Sequence, residues 1–201
     1  MPPPNPPAQP GVPIQVPTTC YISFSAEINP TTSEGLLRAC CELSSKGVKT
    51  IYLLLSSPGG SVQSGIHVYN TLRAIPPKII THNVASIDSI ANTIFLAGDE
   101  RYAVPEATFM FHGVGFNGQA GVRMEEKNLR EQLDGITAQQ KKIASIIERR
   151  ATFTDQGEIS DLFLQAATKD TEFAKDRGII HDVREAKVPT GAPILQLVFN
   201  R

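Results

Sequence analysis

Residues 50–62 read TIYLLLSSPGGSV: a strand-length run that is apolar from Ile51 through Leu55, then a turn built on Pro58-Gly59-Gly60. An unbroken apolar run of this kind suits a strand covered on both faces, as in a parallel sheet. Two glycines at its end let the backbone turn sharply and present N–H groups to a ligand. In open α/β sheets ligands bind at this carboxyl edge. By itself a Pro-Gly-Gly is more often only a turn, so the flanking sequence has to decide.

Working upstream, Thr19–Ser25 (TCYISFS) alternates as a strand does. Thr31-Thr32-Ser33-Glu34 offers a capping box with Thr31 as the cap, and Leu36, Cys40 and Leu43 follow at helical spacing to a stop at Lys46-Gly47. Downstream, Val62–Ala74 reads as a helix ending before Pro76-Pro77, and Lys78–Val84 as a strand. Ser89–Ala97 is the next expected helix and Ala107–His112 the next strand. This rhythm implies right-handed crossovers and a mainly parallel sheet with helices on its faces, an α/β fold.

A different texture runs from Val122 to Arg150, rich in good helix formers. Leu129, Leu133, Ile136, Ile143 and Ile147 share one stripe, interrupted by Gln140. So narrow a stripe on so long a helix packs either on the protein's own core or against something outside it. Beyond it, Asp170 and Gly178 bracket a short helix at Thr171–Arg177, and Gly178-Ile179-Ile180 reads as a return to strand.

The 201 residues fit one ordinary domain. The start, MPPPNPPAQPGVPIQVP, has neither a basic beginning nor an apolar run, so it is no secretory signal or membrane span. The expected organisation is a flexible Pro-rich arm over 1–18 and a single domain over 19–201. A formal net charge of −1 gives no electrostatic reason to expect nucleic acid or an anionic membrane as partner. Cys20, Cys40 and Cys41 make neither a disulfide framework nor a metal-ligand spacing. Buried reduced thiols are expected, which favours a reducing compartment. No metal or cofactor is expected.

Two further stretches can carry chemistry. In Val84–Gly98, VASIDSIANTIFLAG, Ser89 stands where the apolar helix begins. A serine there is ordinarily a helix cap. The same place puts its hydroxyl beside N–H groups that stabilise developing negative charge. On these grounds alone Ser86 is an equal candidate. His112 ends ATFMFH ahead of the loop GVGFNG, and a histidine near a serine hydroxyl is its natural base.

Taken in order, SSPGGSV, VASIDSIANTIFLAG and RYAVPEATFMFH resemble the proteolytic subunit of the Clp protease family, within the wider crotonase-like architecture. The resemblance runs from about Tyr21 to Val183. Counting back from Leu96-Ala97-Gly98, it puts the family nucleophile on Ser89, and it matches Arg101, Pro105, Met110 and His112 to the later motif. It thereby implies His112 as the base and the backbone N–H groups of Gly60 and Ile90 as the oxyanion hole. It also implies a serine endopeptidase acting on peptides or unfolded proteins, a cytoplasmic location, a homo-oligomer of stacked rings joined through a handle helix at about 122–150, and a Clp-type ATPase as partner.

This chain departs from the family pattern in three places. An ungapped count back from Gly178 lands Ala166 where the family has its third catalytic residue, an Asp; Asp161 and Asp170 lie nearby, Asp170 reading as a cap. Asp88 precedes the nucleophile, and Ala91-Asn92 follow Ile90, where family members have glycine and small residues. The Pro-rich arm stands in place of the family's N-terminal helix. These leave two alternatives open, an inactive ring subunit and a Ser–Lys hydrolase with Lys127 as base.

Overall fold

In the computed structural model, which describes residues 16–116, 121, 123–153 and 155–199, the run at 50–55 becomes β2 (Thr50–Ser57) in the middle of a sheet. Its parallel neighbours are β1 (Thr19–Ser25), with Thr19 opposite Thr50, and β3 (Lys78–Asp88), with Lys78 opposite Thr50. Ile51, Leu53 and Leu55 are buried on one face and Tyr52 on the other, as a doubly covered strand requires. Beyond β1 the sheet gains β8 (Ile194–Leu197), also parallel, in a stretch not singled out from its residues.

β3 outruns its expected end at Val84 because it serves two neighbours in turn. Ile80–Asn83 pair with β4 (Glu100–Ala103), and Ser86–Asp88 pair with β5 (Thr108–Met110). Asn83 sits buried at the fork. Its Nδ2 donates to the Thr108 carbonyl at 2.8 Å, its Oδ1 accepts from the Ala85 N–H at 3.1 Å, and its carbonyl accepts from Val104 at 3.0 Å. On the far side, β4 pairs in parallel with β7 (Asp182–Val183), and β5 pairs antiparallel with β6 (Thr168–Lys169). Only that last pairing breaks the parallel rule among the described strands. The chain is therefore α/β with a mostly parallel sheet, as the alternating sequence pattern implies.

The first helix, α1 (Pro30–Ser45), starts earlier than expected. Asn29 is the cap in place of Thr31, its Oδ1 accepting from the Thr32 N–H while Thr32 Oγ1 accepts from the Asn29 N–H, both at 3.0 Å. Pro30 fits the first turn, where no N–H is needed. α2 (Val62–Ala74) keeps the expected bounds. α3 (Ala91–Phe95) is shorter than 89–97, since 86–88 stay in the sheet and Ser89-Ile90 form the turn. α4 (Glu126–Arg150) occupies most of 122–150; Val122, residues 1–15 of the Pro-rich arm and 117–120 of the glycine loop lie outside the described residues.

α4 divides in two. Ile143, Ile146 and Ile147 are buried in the core, whereas Leu129 and Leu133 are 50% and 62% exposed. Two helices follow, α5 (Gln156–Gln165), which was not expected, and α6 (Thr171–Asp176), capped by Asp170 as expected through Oδ1 and the Phe173 N–H at 2.9 Å. Gly178-Ile179-Ile180 is a buried turn and not a strand; the strand comes after it, at β7. Cys20 and Cys40 are buried free thiols, with burial pushing Cys40 up to about 12, but Cys41 is exposed, against expectation.

The opposite sheet face carries a smaller cluster of Tyr21, Tyr52 and Ile80. Beside it, His82 is fully buried. Its Nε2 donates to the Arg184 carbonyl at 3.0 Å, leaving Nδ1 to accept from the Tyr52 hydroxyl at 2.7 Å. Desolvation holds this imidazole below its ordinary pKa.

Candidate active site

At Asp88 β3 ends, and Ser89 makes one last sheet bond, its N–H donating to the Met110 carbonyl at 2.8 Å. It then turns with φ of 56°, in the left-handed region. For a residue with a Cβ that costs about 1–3 kcal/mol, so other contacts must hold it. Asn92 supplies them. Its buried Nδ2 lies 2.9 Å from Met110 O, 3.1 Å from Ser89 O and 3.2 Å from Ile87 O, and its N–H reaches Ser89 O at 3.2 Å. The cost of this arrangement is visible too, because Asn92 Oδ1 is buried without a hydrogen-bond partner. Sequence reasoning registered Asn92 only as a departure; the available signal was a lone amide inside an otherwise apolar helix.

The glycine turn closes over this elbow. A Cβ on Gly59 would stand 2.6 Å from Ser89 Cβ and 2.8 Å from Asp88 O, and φ at Gly59 is 90°. Gly60, at φ 138°, is pinned through its neighbours: Ile28 N–H donates to Gly59 O, and Ser61 N–H to Ile28 O, both at 2.7 Å. In such a parallel bridge the N–H and C=O of Gly60 itself point away from Ile28. A Cβ there would collide with the Ile28 carbonyl. Among the described residues nothing accepts the N–H of Gly60 or of Ile90.

His112 follows β5 and is exposed. Its Nδ1 lies 2.7 Å from the Gly113 carbonyl oxygen. A carbonyl only accepts, so Nδ1 carries the proton and Nε2 keeps the lone pair a base needs. The Gly113 N–H in turn donates to Phe163 O on α5 at 3.2 Å. Among the described residues no hydrogen bond joins His112 to Ser89.

One cavity of about 250 Å³ is lined by Gly60, Ser89, Ile90 and His112, with Phe111 and Ile143 among its apolar walls. All four residues named from sequence thus meet in one place. Ser86 does not; it faces a separate hollow with Ser25, Glu27 and Phe199. Lys127 is 84% exposed near the start of α4, in a loose 3.9 Å pair with Glu131, so it lacks the desolvation a basic lysine needs. Arg101 is structural. Its buried guanidinium donates to the carbonyls of Gly98, Arg150, Gly178 and Ile179, and burial, followed by Arg150 and Arg73, lowers it to about 10.

β5 and β6 pair Phe109 with Lys169 and Met110 with Thr168, and Ala166, the residue that the sequence count sets at the third catalytic position, lies two residues before β6. Ala166 caps α5 at φ 46° and carries no carboxylate. Asp161 lies on the exposed side of α5, and Asp170 is occupied as a cap. The carboxyl nearest the site in sequence is Asp88, half-buried; burial pushes it up and the neighbouring His112 draws it back down. No group of three His, Cys, Asp or Glu among the described residues could hold a metal.

Comparison with known proteins adds two findings. The Clp protease family matches residues 15–187. Among solved structures, a mutant of ClpP1 from Listeria monocytogenes superposes with a TM-score of 0.71 at 20% sequence identity, over 83% of this chain and 92% of that one. At that identity the likeness speaks for the fold.

Proposed function

This chain belongs to the Clp protease family, and from that premise we propose that it is a serine-type endopeptidase subunit working in a ring-shaped oligomer on peptides or unfolded proteins. The observation that carries the reading is the meeting on a single cavity of a left-handed serine, an imidazole whose Nδ1 carries the proton, and two N–H groups without a partner among the described residues. Ser89 Oγ attacks the peptide carbonyl carbon while His112 Nε2 takes the hydroxyl proton. The oxyanion is received by the N–H groups of Gly60 and Ile90, donors that need no reorganisation because the Ile28 bridge and the Asn92 amide already hold their backbone. His112 returns the proton to the leaving amine. Water then attacks the acyl-enzyme by the same route in reverse.

The exposed half of α4, with Leu129 and Leu133, supports assembly of rings through this helix. Among the described residues no helix is long and apolar enough to cross a membrane, and a cytoplasmic location belongs to the proposal. A Clp-type ATPase as partner rests on the family resemblance alone.

A second reading, a ring subunit without activity, has one specific observation behind it: where the family has its third catalytic residue this chain has Ala166, which caps α5 and carries no carboxylate. Hydrolysis of a fluorogenic peptide and of an unfolded protein by the full chain, with Ser89→Ala and His112→Ala beside it, separates the two. The peptidase reading expects turnover that both substitutions remove; an assembled ring with no turnover leaves the scaffold.

A further inference from the structure

His112 must carry positive charge once it has taken the serine proton. A bare imidazolium at this edge of the sheet is weakly supported by its one neutral acceptor, the Gly113 carbonyl. At the family's third catalytic position stands Ala166, without a carboxylate. The cavity lining contains no titratable residue besides His112. If the site works, its counter-charge has to come from elsewhere.

β3 supplies a carboxylate. Asp88 pairs in parallel with Met110, and side chains directly paired on adjacent strands share a face. Along 109–112 burial alternates, with Phe109 and Phe111 in the core and Met110 and His112 away from it. Asp88 and His112 therefore project from the same side of the sheet, one residue before the nucleophile and two residues beyond Met110. No hydrogen bond or ion pair with another described residue engages the Asp88 carboxylate. By contrast Asp99 pairs with Arg73, and Asp170 and Asp155 are helix caps. Burial pushes the Asp88 carboxyl up, and the neighbouring His112 draws it back down.

We propose that Asp88 is the positioning residue of this site, the carboxylate whose negative charge steadies the His112 imidazolium in place of the acid missing at Ala166. It acts through His112 and touches no substrate. Its position beside the nucleophile makes it a two-edged choice. A carboxylate next to Ser89 also repels the oxyanion, so the sign of its net effect decides the assignment. The proposal rests on Ser89 and His112 forming the catalytic pair.

The test is peptide-ester hydrolysis by the full chain, comparing wild type, Asp88→Asn, Asp88→Glu and the double variant Asp88→Asn with Ala166→Asp. Asparagine keeps the shape and removes the charge. The expected result is a fall in kcat of about 10- to 100-fold for Asp88→Asn with KM within about threefold, the effect of removing one nearby charge in a partly screened site. Asp88→Glu should retain much of the rate, and Ala166→Asp should recover most of what Asp88→Asn loses, because it returns a carboxylate to the position where the family carries its acid. An Asp88→Asn protein as fast as wild type, or faster, overturns the proposal. So does a double variant as slow as Asp88→Asn alone, which would make Asp88 a prop of the elbow and no partner of the imidazole. Failure of the peptidase reading looks different: wild type itself is then inert towards the ester and towards a fluorophosphonate, and both proposals fall together.

Discussion

Around Ser89 the backbone is held by the Asn92 amide, the Gly59 approach and the Met110 carbonyl, whereas His112 on the same cavity is exposed and held by one bond to the next residue. The first region stores left-handed strain and over-determines it; the second is free to shift. The nucleophile and its oxyanion donors are therefore prearranged within a single chain, and bringing the base within bonding distance is what remains. Substitutions in the two regions should fail in different ways. Those near Ser89 damage fold and chemistry together, and those at His112 damage chemistry alone.

The sharpest break should come from Gly59→Val. Its side chain meets Ser89 Cβ and the Asp88 carbonyl from a φ that valine avoids. Peptide hydrolysis should fall by about 10³-fold or more, from a displaced nucleophile and a spoiled oxyanion donor, and thermal unfolding should show a less stable protein as well. A variant with normal activity and melting would dissolve the distinction between the regions. Next, His112→Ala should cost about 10²- to 10⁴-fold in kcat, the usual worth of a general base. Because the residue is exposed, its unfolding free energy should stay within about 0.5 kcal/mol of wild type. That pairing of lost rate and kept stability is the signature of the looser region.

Asn92→Ala should lie between them. It strips a buried donor shared among three carbonyls, for about 2–3 kcal/mol in urea unfolding, and it frees Ser89 to leave its strained turn. The smallest effect concerns the other histidine. His82 is buried with both ring nitrogens engaged, and its pKa lies below the ordinary value. The unfolded chain thus binds a proton that the folded chain refuses, so stability should fall as pH drops below about 6.5. The ceiling for one proton is about 1.4 kcal/mol per pH unit. Denaturant titrations at pH 7 and pH 5 should show the loss, and His82→Gln should reduce it, leaving the share of His181, which burial also holds low.

What could be read from the sequence follows the same division. TIYLLL announced a doubly covered strand because burial on both faces removes alternation, and α2 kept its bounds because Pro76-Pro77 end it. Ser89 and His112 were legible as candidates at strand ends, with Ser86 beside them, whereas Gly60 and Ile90 came only through the family resemblance; the four line one cavity. β4, β6 and β7 were missed because strands of two to four residues carry no period to detect. The fork in β3 was hidden for another reason. It depends on Asn83, whose amide and carbonyl bond Ala85, Val104 and Thr108, partners known only after folding. The same holds for Asn92, whose worth lies in three carbonyls that converge only in the folded chain.

The most direct measurement is to treat the folded protein with a fluorophosphonate and map the adduct by peptide mass spectrometry. A single phosphonyl group on the peptide containing Ser89, lost in Ser89→Ala and kept in Ser86→Ala, is the result expected here. Modification at Ser86 or at any other serine, or none at all on a correctly assembled particle, would contradict the account.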